Sequence, residues 1–118
     1  MNLRLFYAPG SCAFAALAAL EYAGATYEPT KLDLAAGDQR SSQYLAINPL
    51  GRVPTLLVDG APVTELIAVL SYIAHRYPAS QLLPLDNALS LARAYEMLSW
   101  FSTGFHGFIA QIFRGGAF

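Results

Sequence analysis

One cysteine, Cys12, stands just after Pro9-Gly10 and Ser11, at the entry to an alanine-rich segment. In the first turn of a helix a cysteine meets free N–H groups and the positive end of the helix dipole. Both favour the thiolate and lower the pKa below the free value of ~8.5. Such a thiolate can stabilise a second sulfur or exchange with it. The plainer alternative is a buried structural thiol, the commoner fate of a lone cysteine. No second cysteine stands two or three residues away, which excludes an intramolecular dithiol cycle. Any redox step would pass through a mixed disulfide with an external thiol. Tyr7 and Ser11 bring two hydroxyls to the same turn, although ring packing and N-capping are their simpler roles.

Three further places carry groups suited to chemistry or binding. In "NPLGRVPTLLVDG", Asn48 to Gly60, residues 53–58 are apolar enough for a strand, yet Pro54 can donate no ladder hydrogen bond. Thr64-Glu65 opens a helix. Free N–H groups there can bind a carboxylate while the Glu65 side chain pairs with an ammonium, a combination that suits a zwitterionic amino-acid end. Helix capping with a dipole-stabilising glutamate, about 0.3–1 kcal/mol, is the competing account. His106 lies among Phe105, Ile109 and Phe113 at helical spacings. With His75 it lacks a matching ligand cluster, so no metal is expected.

The elements that must position these residues follow from pattern and punctuation. "LRLFYA" reads as a short buried strand ended by Pro9-Gly10. "SCAFAALAALEYAG" reads as a helix with Ser11 as N-cap and Gly24 as a left-handed C-terminal cap. Residues 26–34 form a strand whose early part Pro29 demotes to an edge. A polar loop and one short helical turn, "SQYLAIN", lead to Pro49. The strand containing Pro54 is joined through "DGAP" to a second short strand at Val63, so the two are antiparallel. Thr64 then caps a helix from Glu65 to about Tyr77, stopped by Pro78. After the linker "PASQLLPLDN", one long helix runs from Ala88 to Phe113, weakened near Gly104 and Gly107. The order βαβ, short helix, ββα assembles into a mixed four-stranded sheet with helices on both faces, a thioredoxin-like α/β arrangement followed by one long helix.

Composition narrows the function classes. The chain has 118 residues, 55% of them hydrophobic and 13% charged, which excludes a disordered chain and allows a substantial core. A mean hydropathy of +0.38 suggests that some surface meets a partner. Seven scattered Lys and Arg and a net charge of -1 form no basic stripe, so nucleic acid is not an expected partner. No signal peptide is visible at the start, and Glu21, Glu65 and Arg93 interrupt every candidate membrane span. A lone cysteine fits a reducing compartment, and the cytoplasm is the expected location.

"APGSCAFAALAALEYAG", "YLAINPLGRVPTLLVDG" and "TELIAVLSYIAHRYP" together resemble the N-terminal domain of bacterial glutathione transferases, most closely the beta class with its cysteine after the first strand. "SLARAYEMLSWFSTGFHGFIAQIFR" resembles the first helix of the family's C-terminal domain. The resemblance implies a glutathione-binding domain at 1–78, a linker at 79–87 and the first helix of a truncated helical domain at 88–118. It implies that Pro54 is cis, starting a strand, and that Val53 offers main-chain N–H and C=O groups to glutathione, a miniature strand addition. Physically this is reasonable, since a cis X–Pro bond lies only about 0.5–1 kcal/mol above trans. By the same resemblance Thr64, Glu65 and Leu66 hold the γ-glutamyl end, Arg52 meets the glycyl carboxylate, and Cys12 acts on the sulfur, with Ser11, Tyr7 and His106 as further catalytic candidates. Leu66 replaces the usual serine and Leu50 a common lysine, so weaker glutathione binding is expected.

The reading that follows is a glutathione-binding protein of the transferase type, with glutathione as co-substrate, no metal, and a small electrophile as second substrate. Alternatives are a non-catalytic assembly module and glutathione-dependent thiol-disulfide exchange at Cys12. The helix 88–113 is apolar on nearly every face, which calls for a covering partner, a second copy first among them.

Overall fold

The structure is a computed structural model and describes residues 2–113. Its residues divide into two compact units, with the boundary after Leu82.

The first unit is built on a four-stranded mixed sheet. Its strands are β1 (Leu3–Tyr7), β2 (Glu28–Lys31), β3 (Thr55–Val58) and β4 (Ala61–Thr64), in the order β2-β1-β3-β4. β1 runs parallel to β2 and antiparallel to β3, and β3 runs antiparallel to β4. Helices α1 (Ala13–Tyr22), α2 (Ser42–Ile47) and α3 (Leu66–Arg76) complete the thioredoxin-like fold. Both prolines within strands, Pro29 and Pro62, lie on the edge strands β2 and β4, where a missing donor costs no ladder bond.

Alternation along β1 divides the core in two. Leu3 and Leu5 point to one face, packing with Ala16, Leu20, Leu56, Val69 and Ile73 of α1, β3 and α3. Phe6 belongs to a second cluster with Leu32 and Tyr44, its ring 5.4 Å from that of Tyr44 in an edge-to-face pair. Leu5, Leu20, Leu56 and Ile73 are fully buried, and each such side chain contributes about 1.5–3 kcal/mol. Leu82 packs against the first cluster, so part of the expected linker serves this core.

Several boundaries differ from the sequence-based expectation. The second strand is shorter, Glu28–Lys31 rather than residues 26–34. β3 begins at Thr55, one residue after Pro54. Thr64 is not a helix cap: it ends β4, paired with Thr55, and Glu65 takes the N-cap position with no side-chain cap bond. The hairpin register overrides the capping preference, because Thr64 is held in the ladder. At α1 the N-cap position falls to Cys12, one residue later than expected, while the Ser11 hydroxyl still accepts the Ala13 N–H at 3.2 Å.

From Ala88 onward the described part of the second unit is helical. It comprises α4 (Ala88–Ser99), a π-helical segment over Trp100–Phe105, and α5 (His106–Phe113). The expected weakness near Gly104 takes the form of that π segment, with Thr103 Oγ1 donating to the Ser99 carbonyl. The last five residues of the expected 88–118 segment lie outside the described residues.

Candidate functional site

Strand register gathers the candidate residues at one end of the sheet. Phe6 pairs with Thr55, so the chain leaving β1 toward Cys12 runs beside the chain entering β3 at Val53-Pro54. Thr55 also pairs with Thr64, which brings Glu65 and the start of α3 to the same end. Three segments far apart in sequence thus meet: residues 8–12, 52–54 and 64–66.

At their meeting point the Cys12 thiol donates to the Val53 carbonyl, Sγ to oxygen 3.8 Å. The Val53–Pro54 peptide is cis. Pro54 is buried and Val53 half-buried, packed against the second cluster. Among the described residues Val53 belongs to no strand ladder. Ser11 turns its hydroxyl back to the Ala8 carbonyl at 2.6 Å, so both of its bonds shape the turn that carries Cys12. The Tyr7 ring packs against the first core cluster.

On the opposite side of the site, Glu65 is exposed and adopts φ +72°, a conformation that non-glycine residues rarely hold. Backbone in such regions costs about 1–3 kcal/mol and persists where the surroundings over-determine it. Here the end of β4 and the start of α3 do so, with the Val69 N–H donating to the Glu65 carbonyl at 3.0 Å. The turn leaves the first N–H groups of α3 without intrahelical acceptors, beside an exposed carboxylate. Leu66 packs against the first core cluster. Arg52 is exposed. His106 begins α5 in the second unit. Among the described residues, no group of three or more His, Cys, Asp or Glu is arranged to hold a metal ion. No described helix is long and apolar enough to cross a membrane.

Behind Val53 lies a buried polar network that the sequence reading missed. Tyr44, Asn48 and Thr55 are all buried. The Tyr44 hydroxyl donates to the Arg52 carbonyl and lies 2.8 Å from Thr55 Oγ1. Asn48 Nδ2 donates to the same Arg52 carbonyl at 3.0 Å and to Thr55 Oγ1 at 3.1 Å, while Asn48 Oδ1 accepts the Leu50 N–H at 3.1 Å. Tyr44 has one proton and spends it on Arg52, so Thr55 is the donor in the Tyr44–Thr55 contact. Burial raises the Tyr44 phenol above its ordinary value, with the Thr55 and Asn48 hydrogen bonds acting the other way. A tyrosine and an asparagine four residues apart share one face of a helical turn, and this was the only signal available.

Comparison with known proteins agrees with this geometry. The family model described as glutathione S-transferase, N-terminal domain, matches residues 1–75. Glutathione S-transferase GstA of Escherichia coli O157:H7 is 34% identical over 114 residues, covering 95% of this chain and 57% of that protein. A glutathione transferase homologue from Sulfitobacter, solved with bound glutathione, superposes with a TM-score of 0.93 at 34% identity, covering 98% of this chain and 55% of that one. The beta-class glutathione S-transferase of Sphingomonas chungbukensis gives a TM-score of 0.80 at 38% identity, covering 88% of this chain and 53% of that one. The chain therefore spans little more than half the length of these relatives.

Proposed function

The chain belongs to the glutathione S-transferase family, and on that premise we propose that it binds glutathione across residues 8–12, 52–54 and 64–66 for transferase-type chemistry. The observation that carries the reading is the meeting of Cys12 with Val53, 3.8 Å apart across 41 residues of sequence. A cysteine beside main-chain groups outside any ladder suits a ligand that is both a thiol and a peptide. Val53 pairs with the ligand backbone, the Glu65 carboxylate with its α-ammonium, and the N–H groups from Leu66 onward with its α-carboxylate. Arg52, beside Val53 in sequence, meets a second carboxylate, and Thr64, Pro54, Ser11 and Tyr7 shape the walls. In the conjugation step the glutathione thiolate forms a carbon–sulfur bond to an electrophile, which either releases its leaving group or takes up a proton. His106 is a candidate proton donor or acceptor for that step. We assign ligand binding to residues 1–78, a linker to 79–87 and the C-terminal part to 88–118, in a cytoplasmic protein whose apolar helix pairs with a second copy.

Glutathione titration of the purified chain, followed by intact mass after exposure to oxidised glutathione, tests the reading. The expected results are saturable binding and a Cys12 adduct that Cys12→Ala abolishes. In forming the adduct, the Cys12 thiolate attacks one sulfur of the disulfide and glutathione thiolate leaves. Absence of both binding and adduct would overturn the proposal in favour of an assembly module. Exchange at Cys12 without any conjugation would favour the thiol-disulfide reading.

A further inference from the structure

The Arg52 carbonyl accepts two hydrogen bonds, from the Tyr44 hydroxyl and from Asn48 Nδ2. Every polar atom that holds it is itself engaged. Asn48 uses both amide protons and its oxygen, Tyr44 uses its proton, and Thr55 Oγ1 gives its own proton to Tyr44 while accepting one from Asn48. Nothing in this network can rotate without leaving a buried donor or acceptor unpaired, which is the costly condition for a polar group away from water.

Pinning this carbonyl has a consequence for the next residue. In a trans peptide the C=O of one residue and the N–H of the next point in opposite directions across the same plane. The cis bond in this segment is the one after Val53, not the one before it. With the Arg52 carbonyl drawn into the network, the Val53 N–H is aimed the other way, out of the network. The Val53 carbonyl, in turn, faces Cys12.

We infer that Tyr44, Asn48 and Thr55 are positioning residues that set the direction of the Val53 N–H, and thereby the affinity for the main chain of a peptide-like thiol. The inference rests on the glutathione reading above for the identity of the ligand, but its geometric half does not. A network serving stability alone would lower the unfolding temperature of its variants and leave the affinity of the folded protein unchanged.

The test uses the full chain, labelled with nitrogen-15, as wild type and as Tyr44→Phe, Thr55→Val and Thr55→Ser. Without ligand, backbone order parameters at Gly51, Arg52 and Val53 are expected near the rigid value of about 0.85 in wild type and Thr55→Ser, falling toward about 0.6 in the other two. On glutathione titration, Tyr44→Phe and Thr55→Val should weaken binding by about tenfold, the scale of one net hydrogen bond. Thr55→Ser, which keeps the hydroxyl, should stay within about twofold of wild type. Unchanged order, or unchanged affinity in folded variants, would overturn the inference. A wild-type chain that binds no glutathione would sink the transferase reading instead, and the ligand-free order at Val53 would still decide whether the network aims it. Should Thr55→Val not fold, Tyr44→Phe carries the same comparison with its ring packing intact.

Discussion

Tyr44 joins two roles in one side chain, since its ring stacks edge-to-face on Phe6 while its hydroxyl bonds the Arg52 carbonyl. Burial raises its pKa above the ordinary tyrosine value of 10.0. The protonated phenol is thus favoured in the folded state. Its stabilisation is fully present below about pH 10, where the unfolded chain also keeps the proton, and is lost as pH rises through the folded value. Stability measured by denaturant titration should therefore fall as pH rises above about 10. Tyr44→Phe should make that fall shallower at the expense of stability at neutral pH. It takes one partner from the Arg52 carbonyl and leaves the buried Thr55 hydroxyl without its acceptor, costing about 1–3 kcal/mol. A residual slope is expected from Tyr27, whose phenol is raised first by burial and then by its hydrogen bond with Glu21. An alkaline profile identical in Tyr44→Phe and wild type would refute the assignment.

Element boundaries show where local rules hold and where packing overrules them. Gly24 ends α1 as its type predicts, at φ +68°, with the Ala25 N–H bonded to the Leu20 carbonyl and the Gly24 N–H to that of Glu21, a Schellman closure. Asp59 and Gly60 both have positive φ and form the two-residue turn between β3 and β4, the geometry that matches strand twist. Gly51 is different, because its sequence neighbours gave no hint of its task. At φ +62°, a Cβ there would lie 2.9 Å from the Gln39 carbonyl oxygen and 3.3 Å from Leu45 Cδ2. The obstacle is partly backbone and cannot swing aside. Gly51→Ala should therefore cost about 1–3 kcal/mol through backbone strain, and the displaced loop should weaken glutathione binding as well. Thermal unfolding of the variant checks the first effect and ligand titration the second; a neutral result in both would contradict the close approach.

At the scale of the whole molecule, most of the large exposed hydrophobic side chains among the described residues belong to the second unit. Met97 is 63% exposed, Trp100 62%, Phe108 73% and Phe113 85%. Phe101 and Phe105 are also exposed, forming with Trp100 a run of edge-to-face contacts at 5.1 and 6.1 Å. Leu91, Tyr95 and Leu98 are half-buried. Exposed aromatic side chains in mutual contact, as Trp100, Phe101 and Phe105 are, suit an interaction surface in a folded protein. Self-association through it should appear as a dimer mass in size-exclusion chromatography with light scattering. Trp100→Glu and Phe108→Glu should shift that mass toward the monomer. A wild-type chain that stays monomeric at high concentration rules out the second copy.

The sequence by itself determined the kinds and order of the elements, because those depend on short-range causes. Hydrophobic alternation, Pro and Gly punctuation and cap chemistry act within a few residues, and they were enough to specify a thioredoxin-like sheet with a cysteine at its first strand-to-helix turn. The boundaries at Thr64 and Cys12 escaped, since ladder register competes with capping there and the register depends on strands elsewhere in the chain. Only the tertiary structure decided that Cys12 faces the Val53 carbonyl, and that Tyr44, Asn48 and Thr55 close a network around Arg52. Those contacts are set by sheet register and by the packing of a short helix on one face of the sheet. Neither leaves a periodic mark, so a buried asparagine and threonine look in sequence like any loop and strand residue.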